Sequence, residues 1–195
     1  MQGGRGIPLE VRRPLLWLVA TAALTLVADQ LSKAAVRTSI GLNETITVIS
    51  GVFDIVHVQN TGAAFGLLPG RRELFVTVSL LMLLGVAIYW FTERPRQWPV
   101  VIPLGLVVGG ALGNLADRTV GGGMVTDFLS FSFFSPVYNL ADSAIVIGVA
   151  GLIVWVFFGT PAAEKPEDTP GVSVADAAPD DPAREGNDSF VESAL

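Results

Sequence analysis

The sequence predicts an all-α membrane bundle of four transmembrane helices with a small β-sheet subdomain outside the bilayer, and two observations carry that fold class. The first is composition: 51% of the residues are hydrophobic, only 15% are charged and mean hydropathy is positive, a balance unlike that of a soluble domain of this length. The second is pattern. Four long apolar runs follow one another, and the gap between the first two holds a stretch of β-branched alternation.

The first run starts behind Arg5, Arg12 and Arg13 and extends from Leu15 to Ala28, an arrangement shared by signal peptides and first membrane spans. Apolar character continues past Asp29 through Leu31, Ala34, Ala35 and Val36, giving about the 20 residues that cross a hydrocarbon core. With no small-residue cleavage site standing out, it reads as a retained span. Residues 1–14 form an N-terminal segment ahead of a four-span membrane domain, 15–160.

Between residues 39 and 68 the period changes to two, in Thr45-Ile46-Thr47-Val48-Ile49 and again from Phe53 to Val58, with Gly51 between. This reads as a small sheet outside the membrane. It ends in Asn60-Thr61-Gly62-Ala63-Ala64-Phe65-Gly66, a run of small residues that either packs as a close loop or lets backbone approach a ligand.

The second span covers about Leu74 to Phe91 and the third begins near Val100, so the short polar link between them makes the two helices antiparallel neighbours. Gly105, Gly109 and Gly113 fall at four-residue spacing along one stripe of the third span, where close helix packing in lipid is favoured. Ala144 and Gly148 repeat the idea in the fourth. Trp17, Trp90, Trp98 and Trp155 each fall at the terminal-side end of one span, as an aromatic belt does. Arg5, Arg12, Arg13, Arg94, Arg96 and Lys165 on the terminal side stand against Lys33, Arg37, Arg71, Arg72 and Arg118 on the other, which leaves orientation open.

The net charge of −6 is misleading, because residues 161–195 hold nine acids against two bases while the rest of the chain is nearly balanced. That tail is rich in Pro, Ala, Asp and Glu and is expected to be disordered. No basic face for nucleic acid is implied. The chain has no cysteine and one histidine, His57, which excludes a thiolate nucleophile and argues against a multi-histidine zinc site and a Ser-His-Asp triad. His57 itself reads as a structural or surface residue of a strand.

Chemistry concentrates between Gly113 and Ser143, which hold Asp117, Asp127 and Asp142, three of the nine carboxylates outside the tail. Ionisable groups at a bilayer edge suggest function. Asp127 is in an extended stretch and Asp142 at the mouth of the fourth helix, with a connection short enough to fold back and bring them together. Two carboxylates in one site share a proton, so one can take a proton from water while the other donates. Each acid has a plainer reading. Asp142 is an N3 acid on a helix capped by Asn139, and Asp127 caps a turn. Asp117, beside Arg118 and one helical step from Asn114, belongs to a structural ion pair or a helix-end hydrogen-bond cluster, and Asp29 and Lys33 form an i, i+4 salt bridge. A proton-coupled transporter would also place acids in a membrane bundle, but along a path through mid-span rather than at one mouth.

Five separated stretches together carry a resemblance: Asp29-Gln30-Leu31-Ser32-Lys33, the run Asn60 to Gly66, Gly113-Asn114-Leu115-Ala116-Asp117-Arg118, Val125-Thr126-Asp127-Phe128, and Tyr138-Asn139-Leu140-Ala141-Asp142-Ser143. In their order and over nearly the whole of the four spans, the chain resembles the lipoprotein signal peptidases. The resemblance implies a four-helix aspartyl endopeptidase of the bacterial cell membrane with an extracytoplasmic β cradle. Such an enzyme cuts diacylated prolipoproteins just before the lipidated cysteine. It implies that Asp127 and Asp142 are the catalytic pair, that Asn60, Asn114, Arg118 and Asn139 bind substrate or support the pair, and that Asp29, Lys33 and Asp117 are supportive. It further implies cytoplasmic termini, an active site near the extracytoplasmic face, and a monomer that meets membrane lipids and substrate but no nucleic acid, metal or cofactor. Two features depart from the family pattern: Tyr138 stands where Phe is usual, and the run Gly121-Gly122-Gly123 makes the loop before Asp127 flexible.

Because the tail has the composition of a segment that cannot bury enough surface to order itself, a chain ended after Thr160 is expected to retain its turnover of diacylated prolipoprotein. A large loss of turnover in a truncated protein that still unfolds cooperatively would contradict this.

Overall fold

The computed structural model describes residues 9–62 and 70–159. Residues 63–66 of the small-residue run and the acidic tail both lie outside that description. Four helices carry the chain: α1 (Leu9–Ser39), α2 (Arg72–Glu93), α3 (Trp98–Thr119) and α4 (Leu140–Val154), the last continued by a π-helical turn, Trp155–Gly159. Each is long and apolar enough to cross a membrane.

Helix α3 is the centre of the bundle, packed against α1, α4 and α2. Its small residues are the reason. A Cβ on Gly105 would stand 2.7 Å from Thr21 Cβ, and one on Gly109 would stand 2.6 Å from both the Ala22 carbonyl oxygen and Thr25 Cβ. One on Gly113 would stand 2.5 Å from Asp29 Oδ2. The predicted glycine stripe is thus the contact line with α1, and it repeats there in steps of four: Thr21, Thr25, Asp29. On another face of α3, Gly110 lies against the Ala141 carbonyl of α4. Gly148 of α4 in turn lies against α3, where its Cβ would meet the Pro103 oxygen at 2.7 Å. Without a hydrophobic driving force between helices in lipid, such backbone approach supplies the dispersion contact that holds them. The outer faces remain apolar and exposed, as at Leu24, Leu81, Val146 and Phe157. Helix α2 is the most peripheral, burying only Ser79 among its described side chains.

The strands are β1 (Thr45–Ile49), β2 (Phe53–Asn60), β3 (Val125–Phe131) and β4 (Phe134–Tyr138), and they form one antiparallel sheet in the order β1-β2-β3-β4. The small sheet expected within residues 39–68 is therefore only half of the observed one. Its other half follows α3, where Gly122 and Gly123, at φ 86° and 92°, reverse the chain in a conformation that a residue with a Cβ rarely adopts. Phe53 pairs with Phe131 in register and their rings stack with centroids 4.7 Å apart. A bulge in β2 between Ile55 and Val58 shifts the register, so that Val58 faces Asp127 and Asn60 faces Val125. Asn60 and Asp127 are then diagonal neighbours across the ladder.

The sheet attaches to the end of α1 through Phe128, which packs on Val36 and Ile40, and through His57. That histidine is buried, its Nδ1 2.8 Å from the Ile40 carbonyl oxygen and its Nε2 3.1 Å from Gln59. Of its two expected roles the structure supports the structural one.

The glycine contacts generate a test. Gly109→Ala is expected to lower thermal stability in detergent by about 1–3 kcal/mol, because both atoms it meets belong to a packed helix. Gly85→Ala, with nothing within 4 Å of the added carbon, should be neutral or stabilise by up to ~1 kcal/mol. Equal effects at the two positions would show that the stripe is not the packing line.

Candidate active site

The C-terminal ends of α1 and α3, the start of α4 and the strands β2 and β3 converge on one cluster of polar side chains. At its base lies Lys33, fully buried, with Asp29 also fully buried and Asp117 at 3% exposure. The ammonium donates to Asp29 Oδ2 at 2.8 Å and to Asn114 Oδ1 at 3.2 Å. It also stands 2.7 Å from Asp117 Oδ2, outside hydrogen-bonding geometry for that oxygen, so charge alone holds this third contact. The ammonium thus meets three oxygens from two helices, two of them through hydrogen bonds. Asp29 Oδ1 accepts from the Ala141 backbone N–H at 3.0 Å, which ties α1 to the first turn of α4. Gln30 bridges Asp29, the Gly113 carbonyl and Asp117 at 3.1–3.4 Å.

The orientation of each asparagine above this base follows from partners that cannot reverse roles. Lys33 only donates, so Asn114 turns its carbonyl oxygen to the ammonium and its amide nitrogen to Asp142 Oδ1, 2.7 Å away. Asn139 accepts the Asp142 backbone N–H at 2.9 Å, so its amide nitrogen donates to Asp127 Oδ1 at 2.6 Å and to Asn114 Oδ1 at 3.2 Å. Asn60 accepts the Gly62 N–H at 2.8 Å and donates to Asp127 Oδ2 at 2.8 Å. Every oxygen of Asp127 and Asp142 accepts one such bond, the last being Asp142 Oδ2 from the Asn139 N–H at 3.3 Å. The acids are joined through Asn114 and Asn139.

Asn139 and Asp142 also form a complete capping box on α4. The helix-cap reading of Asp142 is therefore correct, and it uses only one of the two oxygens, leaving the other with Asn114. Asp127 is not a turn cap; it is in mid-strand. Asp117 is in an ion pair, but its partners are Lys33 and, at 3.7 Å, Arg37 on α1 rather than the adjacent Arg118. On a helix, consecutive residues point about a hundred degrees apart, so neighbours in sequence do not face each other. The Asp29–Lys33 pair is present as expected, with both side chains fully buried.

Arg118 lies instead beside the carboxylates. Its Nη1 donates to the Asn114 carbonyl at 3.3 Å, its Nη2 reaches the Gly62 carbonyl at 3.5 Å, and its guanidinium stands 5.1 Å above the Phe75 ring. Asp127, Asp142, Asn60 and Arg118 all open onto a cavity of about 730 Å³ whose walls include Phe75, Phe134, Tyr138, Ile145 and Val146. Burial pushes the Asp127 carboxyl up to about 6, against the hydrogen bond from Asn60, and the nearby charge of Asp142 adds to the rise. Two acids joined in this way and facing an apolar cleft can share a proton and so activate water.

Three contributors were not picked out from the sequence. Thr126 is buried between Arg37 Nη1 at 3.0 Å and Gln59 Nε2 at 3.1 Å, and Gln30 bridges two acids as described. Gln30 had a signal, an amide inside an apolar span next to Asp29. Thr126 and Gln59 had none, because their pairing depends on the register of β2 with β3.

The model of a family described as signal peptidase (SPase) II matches residues 21–158. A lipoprotein signal peptidase of Pelotomaculum thermopropionicum is 47% identical over 140 residues, covering 72% of this chain and 90% of that protein. One of Halothermothrix orenii is 42% identical over 134 residues, covering 69% and 90%. A solved bacterial membrane enzyme superposes with a TM-score of 0.70 at 27% identity, covering 77% of this chain and 93% of that one. Family match, close relatives and shared fold agree over the four spans and the sheet, and the chain belongs to the signal peptidase II family.

Proposed function

We propose that this protein is a membrane aspartyl endopeptidase that removes the signal peptide from diacylglyceryl-modified bacterial prolipoproteins, cutting just before the lipidated cysteine. The observation that supports it most is the joining of Asp127 and Asp142 through Asn114 and Asn139, with both acids open to one apolar-walled cavity. One acid is ionised and takes a proton from a water held between them. The other is protonated, stabilises the oxyanion of the tetrahedral intermediate, and supplies the proton that lets the amine leave. Asn60, Asn114 and Asn139 keep the carboxylates in position, since each amide is itself oriented by a backbone N–H or by Lys33. Arg118 lends positive charge beside the developing oxyanion. Asp29, Lys33 and Asp117 hold the helices that present these groups.

The cavity suits such a substrate. Its apolar walls on α2 and α4 adjoin lipid-exposed helix faces, so acyl chains can remain in the hydrocarbon while the scissile bond reaches the acids. In this reading the sheet and the acids stand at the extracytoplasmic face, both termini are cytoplasmic, and the enzyme acts as a monomer without a cofactor.

Asp127→Asn and Asp142→Asn are each expected to lower cleavage of a diacylated prolipoprotein by at least about a hundredfold, with the double variant little worse because the two act as a unit. Asp117→Asn should instead lower thermal stability more than turnover. Substantial cleavage by a folded single Asn variant of the pair would show that other carboxylates do the chemistry.

A pH measurement addresses Asp127 separately. Its carboxyl ionises at about 6 in the fold against 3.8 for a free aspartate, so between these values the folded protein keeps a proton that the unfolded chain has released. Stability from this group is present below the lower value and lost as pH rises through the upper one. Relative to Asp127→Asn, the unaltered protein should therefore lose thermal stability between about pH 4 and about pH 7. A stability gap that is flat with pH would exclude a raised Asp127.

A further inference from the structure

At the end of the bundle away from the carboxylates, the start of α1, the link between α2 and α3, and the turn that closes α4 enclose a second cavity of about 480 Å³. The proposed chemistry does not use it. Arg13 comes from α1 and Arg96 from the link, and both line it; Gln97 adds an amide, and Trp17, Trp98 and Trp155 add three indoles. Trp17 and Trp98 are 62% and 72% exposed, which for residues at the ends of membrane-spanning helices means contact with the interfacial zone of the bilayer.

From this we infer that the groove is a binding site for the headgroup of an anionic phospholipid, its phosphate held by Arg13 and Arg96. Guanidinium is the side chain best matched to a phosphate, because it offers several N–H donors in one plane and holds its charge at any working pH. The occupant is a lipid rather than a soluble anion because of where the charges lie. Pro14, Pro99 and Val101 make the remaining wall apolar, and the tryptophans set the groove at the level of the headgroups, where glycerol and the upper acyl chains meet amphipathic rings. Basic residues at this depth are attracted to an anionic leaflet by an amount that falls with salt. Among the described residues, the site joins three of the four helices at the end away from the buried polar cluster. Its occupancy therefore bears on the stability of the bundle and not on the chemical step.

The full chain in detergent, titrated with phosphatidylglycerol or with phosphatidylcholine of the same acyl chains and read by native mass spectrometry, tests this. Phosphatidylglycerol should bind in preference, and the double variant Arg13→Gln, Arg96→Gln should lose about thirtyfold in its affinity. Arg71→Gln, at the opposite end of the bundle, should lose nothing. Undiminished phosphatidylglycerol binding by the double variant would overturn the proposal, as would equal binding of phosphatidylcholine. Glycerol phosphate competing as well as the lipid would make the site one for free phosphate and overturn it too. Binding that emerges only when the chain is ended after Thr160 would mean that the acidic tail is the occupant. Should the double variant unfold, the unaltered chain still decides: its preference for phosphatidylglycerol must fall severalfold from low to high salt, and a preference indifferent to salt counts against the inference.

Discussion

The buried ammonium of Lys33 is the constraint on which the rest of the site depends. A lysine with no exposed surface is tolerable only with opposite charge and hydrogen-bond acceptors around it, since removing an ion from water costs several kcal/mol. Asp29, Asp117 and Asn114 supply them, and in doing so they determine more than charge balance. Asp29 is held where its second oxygen meets the first turn of α4, and Asn114 is turned so that its only donor group faces Asp142. One side chain on α1 thereby orients an acid on α4 through an amide on α3. A hydrocarbon in its place would take the ammonium from two buried acids and leave Asn114 Oδ1 with Asn139 as its remaining donor.

This arrangement requires the helices to be closer than ordinary side chains allow. Gly113 stands directly against Asp29, and Gly110 against the backbone of Ala141, so the approach that lets the polar cluster exclude water is made by residues with no side chain. Dryness in turn strengthens each charge interaction within the cluster. The packing of α3 and the electrostatics of the acids are the same feature at two levels, and a residue as remote as Gly109 bears on the geometry of Asp142 through the position of α1.

The two proposed catalytic acids reach their places by different means. Asp142 is set largely by its own helix, through the capping box it forms with Asn139 three residues before it. Asp127 is set by a sheet whose strands come from either side of α2 and α3, with a bulge in β2 that brings Asn60 diagonally beside it. One acid is thus rigid by local rule and the other by long-range pairing. The carboxyl that burial raises most legibly is the one held by the sheet, where the aromatic stack of Phe53 on Phe131 anchors the ladder.

What the sequence determined by itself was whatever depends on local period or on neighbours a turn apart. The four spans, the β1–β2 hairpin, the glycine stripe, the Asn139 cap and the Asp29–Lys33 pair were all legible, because each is a relation between residues no more than one or two turns of helix or one hairpin apart. The candidate residues themselves were legible as motifs. Tertiary structure alone decided how they meet: that Val125–Phe131 and Phe134–Tyr138 complete the sheet begun by Thr45–Ile49, that Asp117 pairs with Lys33 instead of Arg118, and that Thr126 and Gln59 join the cluster. The β2–β3 pairing, the Gln59–Thr126 bond and the Lys33–Asp117 pair link positions some 65 to 85 residues apart. Periodicity reports which face of an element is apolar, but it carries no information about which distant donor will satisfy a buried acceptor on the other face, and that choice is made only when the helices close on one another.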